Sequence, residues 1–205
     1  MYTLRTIDQT PHQTLWKEVD IITREALNCI LGVPLGNTQW EQAQLPVSLG
    51  GLGLRSAEEH APAAFAKSVL ASKDLKERIL NLPEHLCPPV IPASLLALLS
   101  DKQGEEATVD NFLGVSQKAA SYKIDLHRQS ELTKHVTAQG VERDIARLAS
   151  LGIAHSGDWL NTVPYPSLGL HLRSAEFSVS VRYRLGCAVF PTSGQCPACH
   201  LHAQR

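Results

Sequence analysis

Hydrophobic positions recur along this chain mostly at helical steps. Leu15, Val19, Ile22, Ala26 and Ile30 follow one another at intervals of three and four residues, and the pattern stops at Gly32 and Pro34. Side chains so spaced share one face of an α-helix, and Gly with Pro ends one. The spacing predicts a helix over 12–31 whose apolar side, Cys29 included, faces a core. Asn37 is the expected N-cap of a short helix through Trp40 and Ala43 that stops before Pro46. Leu49-Gly50-Gly51-Leu52-Gly53-Leu54-Arg55 reads as a turn. Ser56 with Glu59 three residues later has capping-box spacing, and Ala63, Ala64, Phe65 and Leu70 give the helix that follows a small, closely packing face. Pro62 falls in its first turns, where a missing N–H costs little.

The prolines at 83, 88, 89 and 92 break the helical period and mark a stiff connector. Beyond it, Leu95, Leu96, Leu98 and Leu99 predict a short buried helix, 102–106 a polar loop and 116–135 a longer helix. Val141, Ile145, Leu148 and Leu151 predict another helix that ends at Gly152. The stretch 174–185 is ambiguous: Phe177, Val179, Val181, Tyr183 and Leu185 alternate with polar residues as in a strand, yet Phe177, Val181 and Leu185 also repeat every four, and periodicity alone favours the strand. The expected fold class is mainly α: two small helical lobes joined by the Pro-rich connector, with an irregular Cys-containing C-terminus.

Composition narrows the function classes. The 205 residues are 43% hydrophobic and 19% charged, enough to bury a core. A formal net charge of −1 excludes a globally basic nucleic-acid binder. Cations would have to act from one face, and Lys123, Arg128, Lys134, Arg143 and Arg147 have suitable spacing. The same spacing suits the solvated side of an amphipathic helix. Five cysteines at 29, 87, 187, 196 and 199 form no disulfide framework, which points to a reducing, intracellular compartment. Arg5, Asp8, Lys17, Glu18 and Asp20 leave no apolar signal core in the first twenty residues, and no stretch approaches a membrane span.

Chemistry-bearing patterns are sparse. Gly50, Gly51 and Gly53 lack the G-x-G-x-x-G spacing and any following Lys-Ser or Lys-Thr, so they read as a turn between helices. His60, His85, His127, His135, His155 and His171 are scattered, and Glu58-Glu59 and Glu105-Glu106 suit solvation or capping. No Ser-His-Asp or Cys-His set assembles. Trp159 has two readings: a base-stacking platform, or a buried ring anchoring two helices. Cys196-Pro197-Ala198-Cys199, with His200 and His202, can place two thiolates on one metal ion, whereas a structural zinc site needs four tetrahedral ligands. All donors would come from seven residues, so Cys196, Cys199 and His202 form an incomplete site expected to hold zinc weakly. A more distant pair of ligands is expected beyond Arg205.

The run Gln39-Trp40-Glu41-Gln42-Ala43-Gln44-Leu45-Pro46-Val47-Ser48-Leu49-Gly50-Gly51-Leu52-Gly53-Leu54-Arg55-Ser56-Ala57 resembles the segment after the polymerase palm in reverse transcriptases of non-LTR retrotransposons. Met1 to Thr6 looks like the end of the strand that precedes it. Gly157-Asp158-Trp159-Leu160-Asn161-Thr162-Val163-Pro164 is similar to the Asn, small residue, Leu-Pro motif that the family carries ahead of a zinc knuckle, with Val163 where leucine is commoner. Phe177 to Gly186 and Cys196-x-x-Cys199 then follow in the family's order.

The resemblance implies a thumb-like helical region over 1–82, the connector 83–92, a helical linker over 93–186 and a truncated zinc-knuckle start over 187–205. It also favours a helix for 175–185. The implied function is a non-catalytic fragment of a reverse transcriptase polyprotein whose parent binds template-primer nucleic acid. The palm's paired aspartates and any nuclease motif are missing, so no enzymatic activity is expected. The candidate nucleic-acid contacts are Arg55, Lys123, Arg128, Arg182 and Arg184. No cofactor beyond weak zinc is expected. The alternatives are a free-standing helical module that binds a protein partner, and a small zinc-binding module.

Overall fold

The computed structural model describes residues 3–7, 13–80, 114–189, 194–195 and 202–203. Among these the fold is mainly helical: α1 Thr3–Thr6, α2 Gln13–Leu31, α3 Asn37–Gln44, α4 Ala57–Ala71, α5 Lys73–Leu80, α6 Gln117–Gln139, α7 Glu142–Leu151, α8 Asp158–Asn161 and α9 Ser174–Leu185. Short 3-10 turns occupy Val47–Leu49 and Pro166–Leu168. Strands β1, Gly194–Gln195, and β2, His202–Ala203, pair antiparallel with Gln195 opposite His202. The expected connector at 83–92, the helix at 95–99 and the loop at 102–106 lie outside the described residues.

The helical steps correspond to helices, and at 174–185 the four-residue repeat prevails over the alternation. Arg173 N–H donates to the Glu176 carboxylate at 2.8 Å, which closes the first turn of α9. Gly186, at φ 71°, ends the helix in a left-handed conformation that a side chain would disfavour. Val181 and Leu185, four apart, are fully buried, while Val179 and Tyr183 stay exposed. Ser56 is the N-cap of α4, its hydroxyl accepting from Glu59 N–H at 3.3 Å.

Three sequence expectations are corrected. Within Met1 to Thr6, likened to the end of a strand, Thr3–Thr6 is the helix α1, and its Leu4 is buried. Asn37 is the first residue of α3 rather than its cap; Gly36 stands at that position, and Asn37 Oδ1 instead accepts from Arg24 Nη2 at 3.2 Å. The predicted apolar face of α2 is the exposed one: Leu15, Val19, Ile22 and Ile30 are 44–64% exposed, and Cys29 is exposed as well. Trp16, Leu27 and Leu31 are buried instead. The buried side of α2 carries polar residues that make specific bonds, such as Asp20 at the start of α4 and Asn28, whose Oδ1 accepts from Leu35 N–H at 2.9 Å. A hydrophobicity count cannot register those bonds, so it selects the wrong side.

The chain forms two compact units, each discontinuous in sequence. Unit 1 comprises residues 1–23 and 55–130, and unit 2 residues 24–54 and 131–205. In unit 1, Leu4 and Trp16 pack on Ala57, Ala61 and Ala64 of α4. Ala63 and Ala66, on another side of the same helix, meet Ala120 and Ile124 of α6. Alanines at these positions let helix backbones approach closely, as the small-residue pattern predicts. In unit 2, Leu27, Leu31, Leu35 and Ala43 pack with Val181 and Leu185, flanked by Trp40 and Trp159. A second cluster joins Leu45 to Leu132 and Val136.

Candidate functional site

Each unit buries an ionisable group. In unit 1, Asp125 is 1% exposed. Its Oδ2 accepts from Arg55 Nη2 at 2.7 Å, and its Oδ1 lies 3.2 Å from His60 Nε2, the distance at which an imidazole N–H donates to a carboxylate. His60 Nδ1, equally buried, has no hydrogen-bond partner among the described residues. Nearby, the Asp20 carboxylate accepts from Ser56 Oγ at 2.6 Å and from Ala57 N–H at 2.7 Å, placing negative charge at the N-terminus of α4 where the helix dipole favours it. Burial raises the Glu59 carboxyl above its usual value, against the pull of Arg128 and His60.

In unit 2 the buried group is a cation. Arg184, 2% exposed, donates from Nε to Gly51 O at 3.1 Å, from Nη1 to Ser156 O at 3.1 Å and from Nη2 to Val47 O at 2.8 Å. Among the described residues no carboxylate is a partner of Arg184, and burial pushes its pKa down. Its own carbonyl accepts from Gln42 Nε2 at 3.0 Å and from Arg147 Nη1 at 2.5 Å. Gln42 completes the knot, donating to Gly50 O at 2.9 Å and accepting from Arg147 at 2.8 Å. Two glycines make room for it. A Cβ on Gly51 would lie 2.0 Å from Leu45 O, and one on Gly157 would lie 2.4 Å from Val47 Cγ1.

The candidate nucleic-acid contacts have other occupations. Arg184 is interior. The Arg182 guanidinium donates to Leu31 O, with Nε at 2.8 Å. Arg55 is held by Asp125, and Arg128 Nε lies 3.1 Å from Glu59 Oε2. Lys123 is half-buried on α6 and also interacts within the chain. Of the proposed basic face, Lys134 pairs with Glu131 at 2.8 Å, and Arg147 serves the Gln42 network. The candidate arginines named here are therefore engaged by partners within the chain, and of them Arg184 alone is fully buried. For the metal candidates, Cys196 and Cys199 lie outside the described residues, and His202 is placed by backbone pairing in β2. No group of three or more His, Cys, Asp or Glu is arranged to hold a metal among the described residues.

Trp159 is half-buried, its ring meeting Phe177 edge-on at 6.3 Å between centroids. The histidines read as scattered include one that is not isolated in space, His60, whose partner Asp125 is distant in sequence. Helical periodicity puts both on inward positions, but no local motif links them. Among the described residues no helix is long and apolar enough to cross a membrane. No family model, curated protein or solved structure matches this chain.

Proposed function

We propose that this chain is the thumb-like and linker region of a non-LTR retrotransposon reverse transcriptase, a non-catalytic part whose parent handles template-primer nucleic acid. One observation supports the reading most directly. Of the stretches that resemble the family, residues 39–54 of the run 39–57, together with 157–164 and 177–186, belong to unit 2, where Arg184 binds the carbonyls of Val47, Gly51 and Ser156, while 55–57 and 1–6 belong to unit 1. Gly51 and Gly157, from two of these stretches, stand where a side chain would collide with neighbouring atoms. The residues that carry the resemblance are thus residues on which this packing depends.

The reading assigns the chain no polymerase chemistry of its own, since its sequence contains no adjacent aspartates to hold a metal pair. Binding to a primed template is electrostatic and weak, because the net charge is −1 and several arginines are committed internally. The test is a primer-extension assay on the purified chain with magnesium or manganese, alongside a binding titration over a range of salt. No incorporation and an affinity that falls steeply with salt are expected. Nucleotide incorporation that survives purification, or binding that persists in high salt, overturns the reading.

A further inference from the structure

Unit 2 contains a cavity of about 530 Å³, within the range of small-molecule pockets. Its apolar walls include Leu151, Trp159, Leu172 and Val179, and Arg184 and Ser156 line it as well. Leu172 and Val179, 44% and 43% exposed, are open to solvent. The guanidinium has five N–H donors, and three bonds to carbonyls account for part of that capacity. Among the described residues this buried cation meets neutral dipoles and no opposite charge of the kind that ordinarily offsets desolvation. The Ser156 hydroxyl donates to Leu151 O at 2.7 Å, so it does not compete to supply a proton to a ligand. Walls this apolar disfavour a zwitterion or a polyphosphate, whose further charges would be left without partners.

We infer that this cavity binds an amphiphile with a single carboxylate, the carboxylate on Arg184 and the apolar body against Trp159, Leu172 and Val179. The ligand supplies the missing counter-charge, and the walls gain the burial of apolar surface. A neutral ligand of the same shape gains only the second.

The experiment titrates the full chain with sodium decanoate and with 1-decanol, which share a chain length, by calorimetry and tryptophan fluorescence. Decanoate is expected to bind about tenfold tighter than decanol, the ratio of roughly one charge-assisted hydrogen bond. Val179→Trp, which fills the cavity, should abolish binding of both. Val179→Glu, which adds a negative charge beside the cavity, should weaken decanoate far more than decanol. Both substitutions are at an exposed position of α9, and the unfolding midpoint of each variant is measured alongside. Equal affinity for the two probes, no binding of either, or decanoate binding unchanged in the folded variants overturns the proposal.

Discussion

Unit 1 buries an anion and unit 2 a cation, and they hold them by different means. Asp125 meets formal or potential positive charge, Arg55 and His60, from a neighbouring turn and helix. Arg184 meets backbone carbonyls from three separate points of the chain, at Val47, Gly51 and Ser156. The first arrangement is a charge pair, in which the 32%-exposed Arg55 can turn toward water if its partner is lost. The second is a clamp, because those carbonyls are fixed by the loops that carry them. A buried charge can therefore hold a fold together through dipoles as well as through an opposite charge, and the dipole version ties more distant segments.

The clamp is therefore the more costly to remove. Arg184→Gln leaves buried carbonyls without donors and should cost about 3–6 kcal/mol. Hydrogen exchange should report the loss on α7 and α9 in unit 2, with α4 of unit 1 less affected. Asp125→Asn should cost about 2–3 kcal/mol, less than a fully enclosed pair would, because Arg55 is partly solvated. Its effect should appear on α4 and the first half of α6. A larger loss from Asp125→Asn than from Arg184→Gln would reverse the comparison.

Smaller substitutions sharpen the picture of unit 1. Ser56→Ala removes the N-cap of α4 and should cost about 1 kcal/mol in denaturant unfolding, with Asp20 still accepting from Ala57 N–H. Glu59→Gln tests the sign of a buried carboxyl. Burial raises its folded pKa, so the stability linked to its protonated form is fully present below the ordinary carboxylate value and lost as pH rises through the raised one. The variant, neutral throughout, should thus gain on the wild type as pH rises from the ordinary carboxylate value through the raised one in paired unfolding titrations. A gain in the opposite direction would mean that the Arg128 contact outweighs burial.

Much of the helical layout was legible in the chain. The steps at 15–30 and 141–151, the Ser56 cap and the glycine turn all correspond to observed structure, because each is set by neighbours within a few residues. Where the same residues allowed two periods, at 174–185, local pattern favoured a strand. Resemblance favoured the helix, and burial of Val181 and Leu185 goes with the four-residue repeat. The candidate contacts were less legible. An arginine written in sequence looks alike whether it faces solvent or, like Arg182 and Arg184, donates to carbonyls some 130 to 150 residues away. The pairing of His60 with Asp125 and the carbonyl clamp have no local signature at all.

The sequence by itself indicated the helices at 13–31, 57–71, 117–139 and 142–151, where several of them begin and end, and that the chain carries enough apolar residues for a core. Short-range sterics, capping and side-chain period decide these, and all act within one or two turns. Tertiary structure alone decided which face of α2 is buried, which charges become interior and how discontinuous stretches gather into two units. Those outcomes depend on hydrogen bonds and desolvation between residues far apart in the chain. Asp20 faces inward because the N-terminus of α4 supplies its donors, and Leu15 and Ile22 face outward because that helix side is taken by no comparable partner among the described residues.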